Sequence, residues 1–190
     1  FPQGFVHDPR RGFAAAGWPG TGVLAVPVGI LDEPARQRQL PLVLDFAGAQ
    51  GNLAVCGAPQ SGKSVLLRSM VLSLAVTHTP EEVQLYGIDF GGGTLASIAD
   101  LPHVGTVASR LDPELAQRLV SHVESLLAER EALFGARGID SVNTFRQLRL
   151  DGKLTGVSAA DVFLVIDGWA AFRERFEGLE PVIADLASRG

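Results

Sequence analysis

The stretch Gly57-Ala58-Pro59-Gln60-Ser61-Gly62-Lys63-Ser64 matches G-x-x-x-x-G-K-[ST], the pattern of a phosphate-cradling loop. Glycines in such a loop let backbone N–H groups converge on phosphate oxygens, and a helix that starts there adds its partial positive charge. In this pattern Lys63 reaches the β- and γ-phosphates and the Ser64 hydroxyl binds Mg²⁺, with Val65 closing a cofactor-binding set that runs from Gly57. A chance glycine-rich turn is the bland alternative. The context argues against it, because an apolar run precedes the loop and helical sequence follows.

Such a loop works with a second acid at the C-terminal end of a neighbouring buried strand, where it meets the metal. Asp167 ends the apolar run Asp161-Val162-Phe163-Leu164-Val165-Ile166-Asp167 and fits that role. Active translocating ATPases commonly place a glutamate directly after this aspartate to orient and deprotonate water, whereas here Gly168-Trp169 follows. A general base contributes about 10²- to 10⁴-fold, or about 3 to 5.5 kcal/mol of barrier. Slow or absent hydrolysis is expected, and a Gly168→Glu change is expected to raise turnover if Gly168 is the defect.

Asp89, which precedes Gly91-Gly92-Gly93, is the candidate substitute base, and a turn-forming role is its alternative. Asp89-Phe90-Gly91 also spells the metal motif of protein kinases. Without a catalytic H-R-D loop or a strand lysine under a glycine-rich flap, that match is coincidence. His7, His78, His103 and His122 show no metal-ligand spacing and read as surface or helix-end residues. Cys56 reads as a small core residue at a strand end. The pairs Arg10/Arg11, Arg36/Arg38, Arg146/Arg149 and Arg173/Arg175 read as solvated faces.

The elements that must position these groups alternate between strand and helix. Gly22–Ile30 and Leu40–Asp45 read as two strands of an edge hairpin joined by the polar connector Leu31–Gln39, and Leu53–Cys56 as a buried strand leading into the loop. From Ser64 to Val76 the sequence is apolar almost all round, as a helix clasped in an α/β sandwich would be. Val83–Asp89 is the next strand. Asp112 as N-cap and Pro113 then open a long amphipathic helix that Gly135 and Gly138 can stop, and a short helix starts at Ser141. Helical sequence after Asp167 restarts at Pro181. The order predicts an α/β fold with a mostly parallel sheet flanked by helices.

Composition agrees with one well-packed domain. The 190 residues are 46% hydrophobic and 19% charged, with a net charge of −5. A single cysteine excludes an intramolecular disulfide framework, and no apolar stretch approaches the length of a membrane helix. Phe1-Pro2-Gln3-Gly4 has no signal-peptide character, and Met70 as the only methionine marks a piece of something longer. The acidic balance weighs against nucleic acid as a partner.

Taken together, Gly57–Ser64 with Leu66-Leu67-Arg68, Thr77-His78-Thr79-Pro80, Asp89-Phe90-Gly91-Gly92-Gly93, Leu101-Pro102-His103-Val104-Gly105 and Asp161–Trp169 resemble the EccC family, the FtsK/SpoIIIE-type ATPases of bacterial type VII (ESX) secretion. The resemblance covers about Thr21 to Gly190, and its Asp-Gly-Trp segment is similar to the later, degenerate ATPase modules. It implies a RecA-like P-loop NTPase that binds ATP and Mg²⁺. It further implies a cytoplasmic location, with tethering to the inner membrane through the rest of a full-length protein. The implied partners are sister ATPase modules, the inner-membrane secretion complex and small helical WXG-type secreted proteins. Residues 1–50 would be an N-terminal extension with the edge hairpin, and residues 51–190 the ATPase core, incomplete at its C-terminus. Lys63 and Ser64 take the family's phosphate and metal roles and Asp167 the Walker B role. Three functions compete: a regulatory ATP-binding module with weak or no hydrolysis, an active translocase, and a small-molecule kinase.

Overall fold

The computed structural model describes residues 5–8, 12–15, 24–47, 51–157 and 161–190. They fall into two compact units, residues 1–82 and 83–190.

The first unit begins with the short antiparallel pair β1 (Phe5–Asp8) and β2 (Gly12–Ala15). The expected hairpin follows as β3 (Ala25–Glu33) and β4 (Arg38–Asp45), paired from Ala25↔Asp45 to Glu33↔Arg38. Its strands are longer than the sequence suggests, because Leu31 and Asp32 pair with Leu40 and Gln39, which leaves a tight connection built on Pro34–Arg36. The register slips between Pro27 and Gly29, where proline lacks the N–H that a regular ladder requires. Residues 22 and 23 of the expected strand lie outside the described residues.

The expected strand at Leu53–Cys56 is a correction. Residues 51–58 form no strand, Leu53 is 42% exposed and Cys56 is an exposed free thiol, not a core residue. An apolar run becomes a strand only when a neighbour exchanges N–H···O=C bonds with it, and among the described residues none does so here. Helix α1 (Lys63–Thr77) then buries Met70, Val71, Leu74 and Ala75, while Val65 and Leu72 stay exposed. The Ser73 hydroxyl donates to the Pro27 carbonyl at 2.8 Å and ties this helix to the hairpin.

The second unit holds the parallel sheet. Its elements are β5 (Val83–Asp89), β6 (Val104–Ser109), α2 (Pro113–Arg137), α3 (Val142–Leu150), β7 (Asp161–Asp167), α4 (Trp169–Arg175) and α5 (Glu180–Arg189), with strand order β6-β5-β7. Central β5 is buried almost throughout, which is why it reads as a nearly continuous apolar run. Asp112 caps α2 by accepting from the Leu115 N–H at 2.9 Å, and Gly138 ends it in the left-handed conformation at φ 62°. Leu119 and Val120 of α2 join Ile88, Phe90, Phe172 and Phe176 in one core. Farther along α2, Leu133 and Phe134 pack with Ile139 and Phe145 in a second cluster.

Several polar side chains sit deeper than expected. Arg146 is no solvated residue: it is 8% exposed, its Nε and Nη2 donate to the Asp161 carboxylate at 3.0 and 2.6 Å, and its Nη1 donates to Asn143. His78 does end a helix but is buried, with Nδ1 2.9 Å from Thr77 Oγ1, and His103 is buried before β6. His122 is exposed on α2, its Nε2 2.9 Å from the Tyr86 hydroxyl. The side chain of His7 lies outside the described residues.

Candidate functional site

In the first unit, Pro59 and Gln60 turn the chain and the Ser61 N–H donates to the Ala58 carbonyl at 3.2 Å. Gln60 and Gly62 both take positive φ, at 60° and 90°. Left-handed residues at close spacing rotate successive N–H groups toward a common side, which is how a backbone makes an anion-binding concavity. Gly62 meets open space where a Cβ would stand, so what it contributes is its conformation. Lys63 is the first helical residue, with Ser64 and Val65 in the same turn, and among the described residues no side chain caps the helix N-terminus. The Lys63 ammonium donates back to the carbonyls of Gly57 at 2.9 Å and Ala58 at 2.7 Å, so its charge stays over the loop. A 15-residue helix that opens uncapped behind a positive-φ loop, with an ammonium on that loop, suits a polyphosphate.

In the second unit, parallel pairing sets Asp89 opposite Asp167 at the C-terminal ends of β5 and β7. Both side chains are buried, at 3% and 5% exposure, yet their surroundings differ. Asp89 Oδ1 accepts the N–H groups of Gly91, Gly92 and Gly93 at 3.2, 3.1 and 2.9 Å, and Oδ2 accepts that of Leu95 at 2.7 Å. Three donors crowd one oxygen of this carboxylate and a fourth holds the other, so Asp89 builds the glycine turn. Of the two roles open to Asp89 in the sequence, this geometry favours the turn.

Asp167 Oδ2 is buried and has no hydrogen-bond partner among the described residues. A buried carboxylate oxygen without a donor is costly unless a cation meets it, so this atom fits a Mg²⁺ ligand. Two glycines make its setting, and sequence reasoning assigned neither of them that part. A Cβ on Gly91 would lie 2.5 Å from Asp167 Cγ and 2.8 Å from its Oδ1. Gly168, at φ 78°, would place a Cβ 2.5 to 2.7 Å from Phe90 C, Gly91 N and Phe90 O. The three consecutive glycines after Asp89 were the available signal, but which of them a carboxylate leans on depends on a strand far away in the chain.

That packing adds a steric constraint to the expectation for position 168. A side chain there meets backbone, not a movable neighbour, and must also adopt a left-handed φ. A glutamate there would be strained unless the Phe90–Gly91 backbone shifts.

A family model described as FtsK/SpoIIIE family matches residues 25–186. The ESX secretion system protein EccC of Thermomonospora curvata is 50% identical over 180 residues, which is 95% of this chain and 14% of that protein. The ESX-4 secretion system protein EccC4 of Mycobacterium tuberculosis is 52% identical over 172 residues, 90% of this chain and 14% of that protein. A solved structure of Thermomonospora curvata EccC (ATPases 2 and 3) in complex with a signal sequence peptide superposes with a TM-score of 0.93 at 48% identity, covering 98% of this chain and 34% of that one. This chain therefore spans about one seventh of the length of those two relatives.

Proposed function

Because the chain belongs to the FtsK/SpoIIIE family, we propose that it is an ATP-binding module of a type VII secretion motor that holds nucleotide with weak or no hydrolysis. The observation that carries this reading is the contrast at the strand ends: Asp167 presents a buried oxygen without a donor, Asp89 is consumed by four N–H groups, and position 168 has no side chain. In this reading residues 51–190 form the nucleotide core and residues 1–50 its extension. Gly57, Ala58, Pro59, Gln60, Ser61, Gly62, Lys63, Ser64 and Val65 hold the phosphates, and Ser64 and Asp167 are the Mg²⁺ ligands. Mg²⁺ there would neutralise phosphate charge.

Nucleotide then acts chiefly as a ligand of the fold. ATP at about 1,000 times its Kd stabilises a folded module by about 4 kcal/mol, enough to make occupancy a switch for packing against sister modules. Similarity to a relative solved with a signal sequence peptide supports a role in recognising secreted substrates, of which small helical WXG-type proteins are the expected class. No helix among the described residues is long and apolar enough to cross a membrane. We place the module in the cytoplasm, tethered to the inner-membrane secretion complex through other parts of a longer protein.

The test is to denature the purified chain and identify the nucleotide it releases, with the Lys63→Ala variant alongside. Intact ATP near one per chain, lost in the variant, supports the reading. Predominant ADP overturns the slow-hydrolysis part and favours an active translocase. An empty chain that binds no added ATP overturns nucleotide binding altogether.

A further inference from the structure

Gly91 and Gly168 grip the two sides of one structural seam. The Asp167 carboxylate occupies the space where a Gly91 side chain would begin, and the Gly168 backbone occupies the space beside the Phe90–Gly91 peptide. The Phe90 N–H donates to the Asp167 carbonyl at 2.9 Å, so the contact continues the β5–β7 ladder past its last paired residues. The far side of the turn is held by Asp89, whose carboxylate takes the N–H groups of Gly91 through Gly93 and of Leu95. Gly92 and Gly93, by contrast, meet nothing among the described residues within 4 Å where a Cβ would stand, so of the three glycines Gly91 is the one held there by space.

We propose that Gly91 and Gly168 are positioning residues for the Asp167 carboxylate. The turn Asp89–Gly93 is its seat, and Gly168 is the only residue type that lets the turn close against β7. The missing base at position 168 is then a consequence of backbone packing and not of one lost side chain. A side chain at 168 would push on the Phe90–Gly91 peptide, against which the Asp167 carboxylate leans. The proposal rests on the reading of Asp167 as a cation ligand.

The experiment compares ATP binding with Mg²⁺ and with EDTA in the wild type and in Asp167→Asn, Gly91→Ala, Gly168→Glu and Gly135→Ala. Gly135→Ala is the fold control, since it puts a methyl group into open space on a helix. Asp167→Asn should remove most of the Mg²⁺-dependent gain in affinity, about tenfold. Gly91→Ala should remove a comparable part of it while metal-free affinity stays within about twofold, a split that simple loss of stability would not produce. Gly168→Glu should lower the melting temperature and speed no hydrolysis.

If Asp167→Asn leaves the Mg²⁺ dependence intact, the cation-ligand reading fails first. If Asp167→Asn removes the dependence and Gly91→Ala does not, the positioning role is overturned. A Gly168→Glu protein that melts with the wild type and hydrolyses faster overturns the packing argument. Should Gly91→Ala not fold, Mn²⁺-ATP added to the wild type decides: selective broadening of the Gly91 and Gly168 amide resonances, absent in Asp167→Asn, is expected, and unbroadened Gly91 and Gly168 resonances overturn the proposal.

Discussion

Asp89 and Asp167 face each other in register across β5 and β7, joined by the 2.9 Å hydrogen bond from the Phe90 N–H to the Asp167 carbonyl, and they have opposite fates. One carboxylate accepts four backbone N–H groups and the other keeps a buried oxygen with no partner among the described residues. Two like residues at equivalent strand ends thus divide into a turn builder and a candidate cation ligand.

Asp89 is expected to matter for stability before chemistry. Hydrogen bonds to a charged acceptor contribute about 1.5 to 3 kcal/mol each and do not add fully, so Asp89→Ala should cost about 3 kcal/mol. Urea unfolding reads the loss, and hydrogen exchange at Gly91, Gly92, Gly93 and Leu95 should accelerate. A variant that keeps its stability but loses residual ATP hydrolysis would instead make Asp89 the base.

Gln60 takes a left-handed φ of 60° within the proposed phosphate loop. That conformation costs an L-residue about 1 to 2 kcal/mol, against about 0.5 to 1 kcal/mol for the extra chain entropy of glycine. Gln60→Gly should therefore stabilise the nucleotide-free chain by about 0.5 kcal/mol and raise its melting temperature by about 1 to 2 °C. Calorimetry without nucleotide checks this.

Tyr86 is the only tyrosine, and burial pushes its phenol above the ordinary value near 10. A group with a raised folded pKa stabilises the fold fully below its unfolded value, and that contribution is lost as pH rises through the folded value. Stability should fall above about pH 10, and Tyr86→Phe should flatten that limb while costing about 1 kcal/mol at neutral pH through the lost hydrogen bond to His122. Denaturant melts across pH 7 to 11.5 test the sign, and phenolate absorbance follows the group directly.

Arg146 holds Asp161 with two hydrogen bonds while its own side chain is 9% exposed and that of Asp161 15%. Removing Arg146 takes away both hydrogen bonds to a mostly buried carboxylate and leaves it only the neighbouring charge of Arg130, so Arg146→Ala should cost about 3 kcal/mol. Arg146→Met, which keeps much of the stem packing, should cost less. A change under about 0.5 kcal/mol in chemical denaturation would show that the pair is screened like an exposed one.

Much of the fold was legible in the sequence because its signals are local. Strand β5 was read with the bounds the structure shows, since a fully buried parallel strand is a continuous apolar run. The start of α2 is written in Asp112-Pro113, since capping depends on neighbours in sequence, while of the two glycines that could stop it the structure uses Gly138 and carries the helix through Gly135. Leu53–Cys56 carries the same apolar signal but forms no strand, because pairing needs a partner that apolarity alone does not specify.

The site divides in the same way. The residue types and spacing of Gly57–Ser64 and the strand-end place of Asp167 are one-dimensional facts, and they suffice by themselves to propose a phosphate loop and its acid. Only tertiary structure decided that Asp89 accepts four N–H groups of its own turn, that Arg146 is buried, and that backbone packs tightly against position 168. The physical reason is contact between segments distant along the chain: the space a Gly168 side chain would need is already filled by the Phe90–Gly91 peptide, and no local pattern records that occupancy.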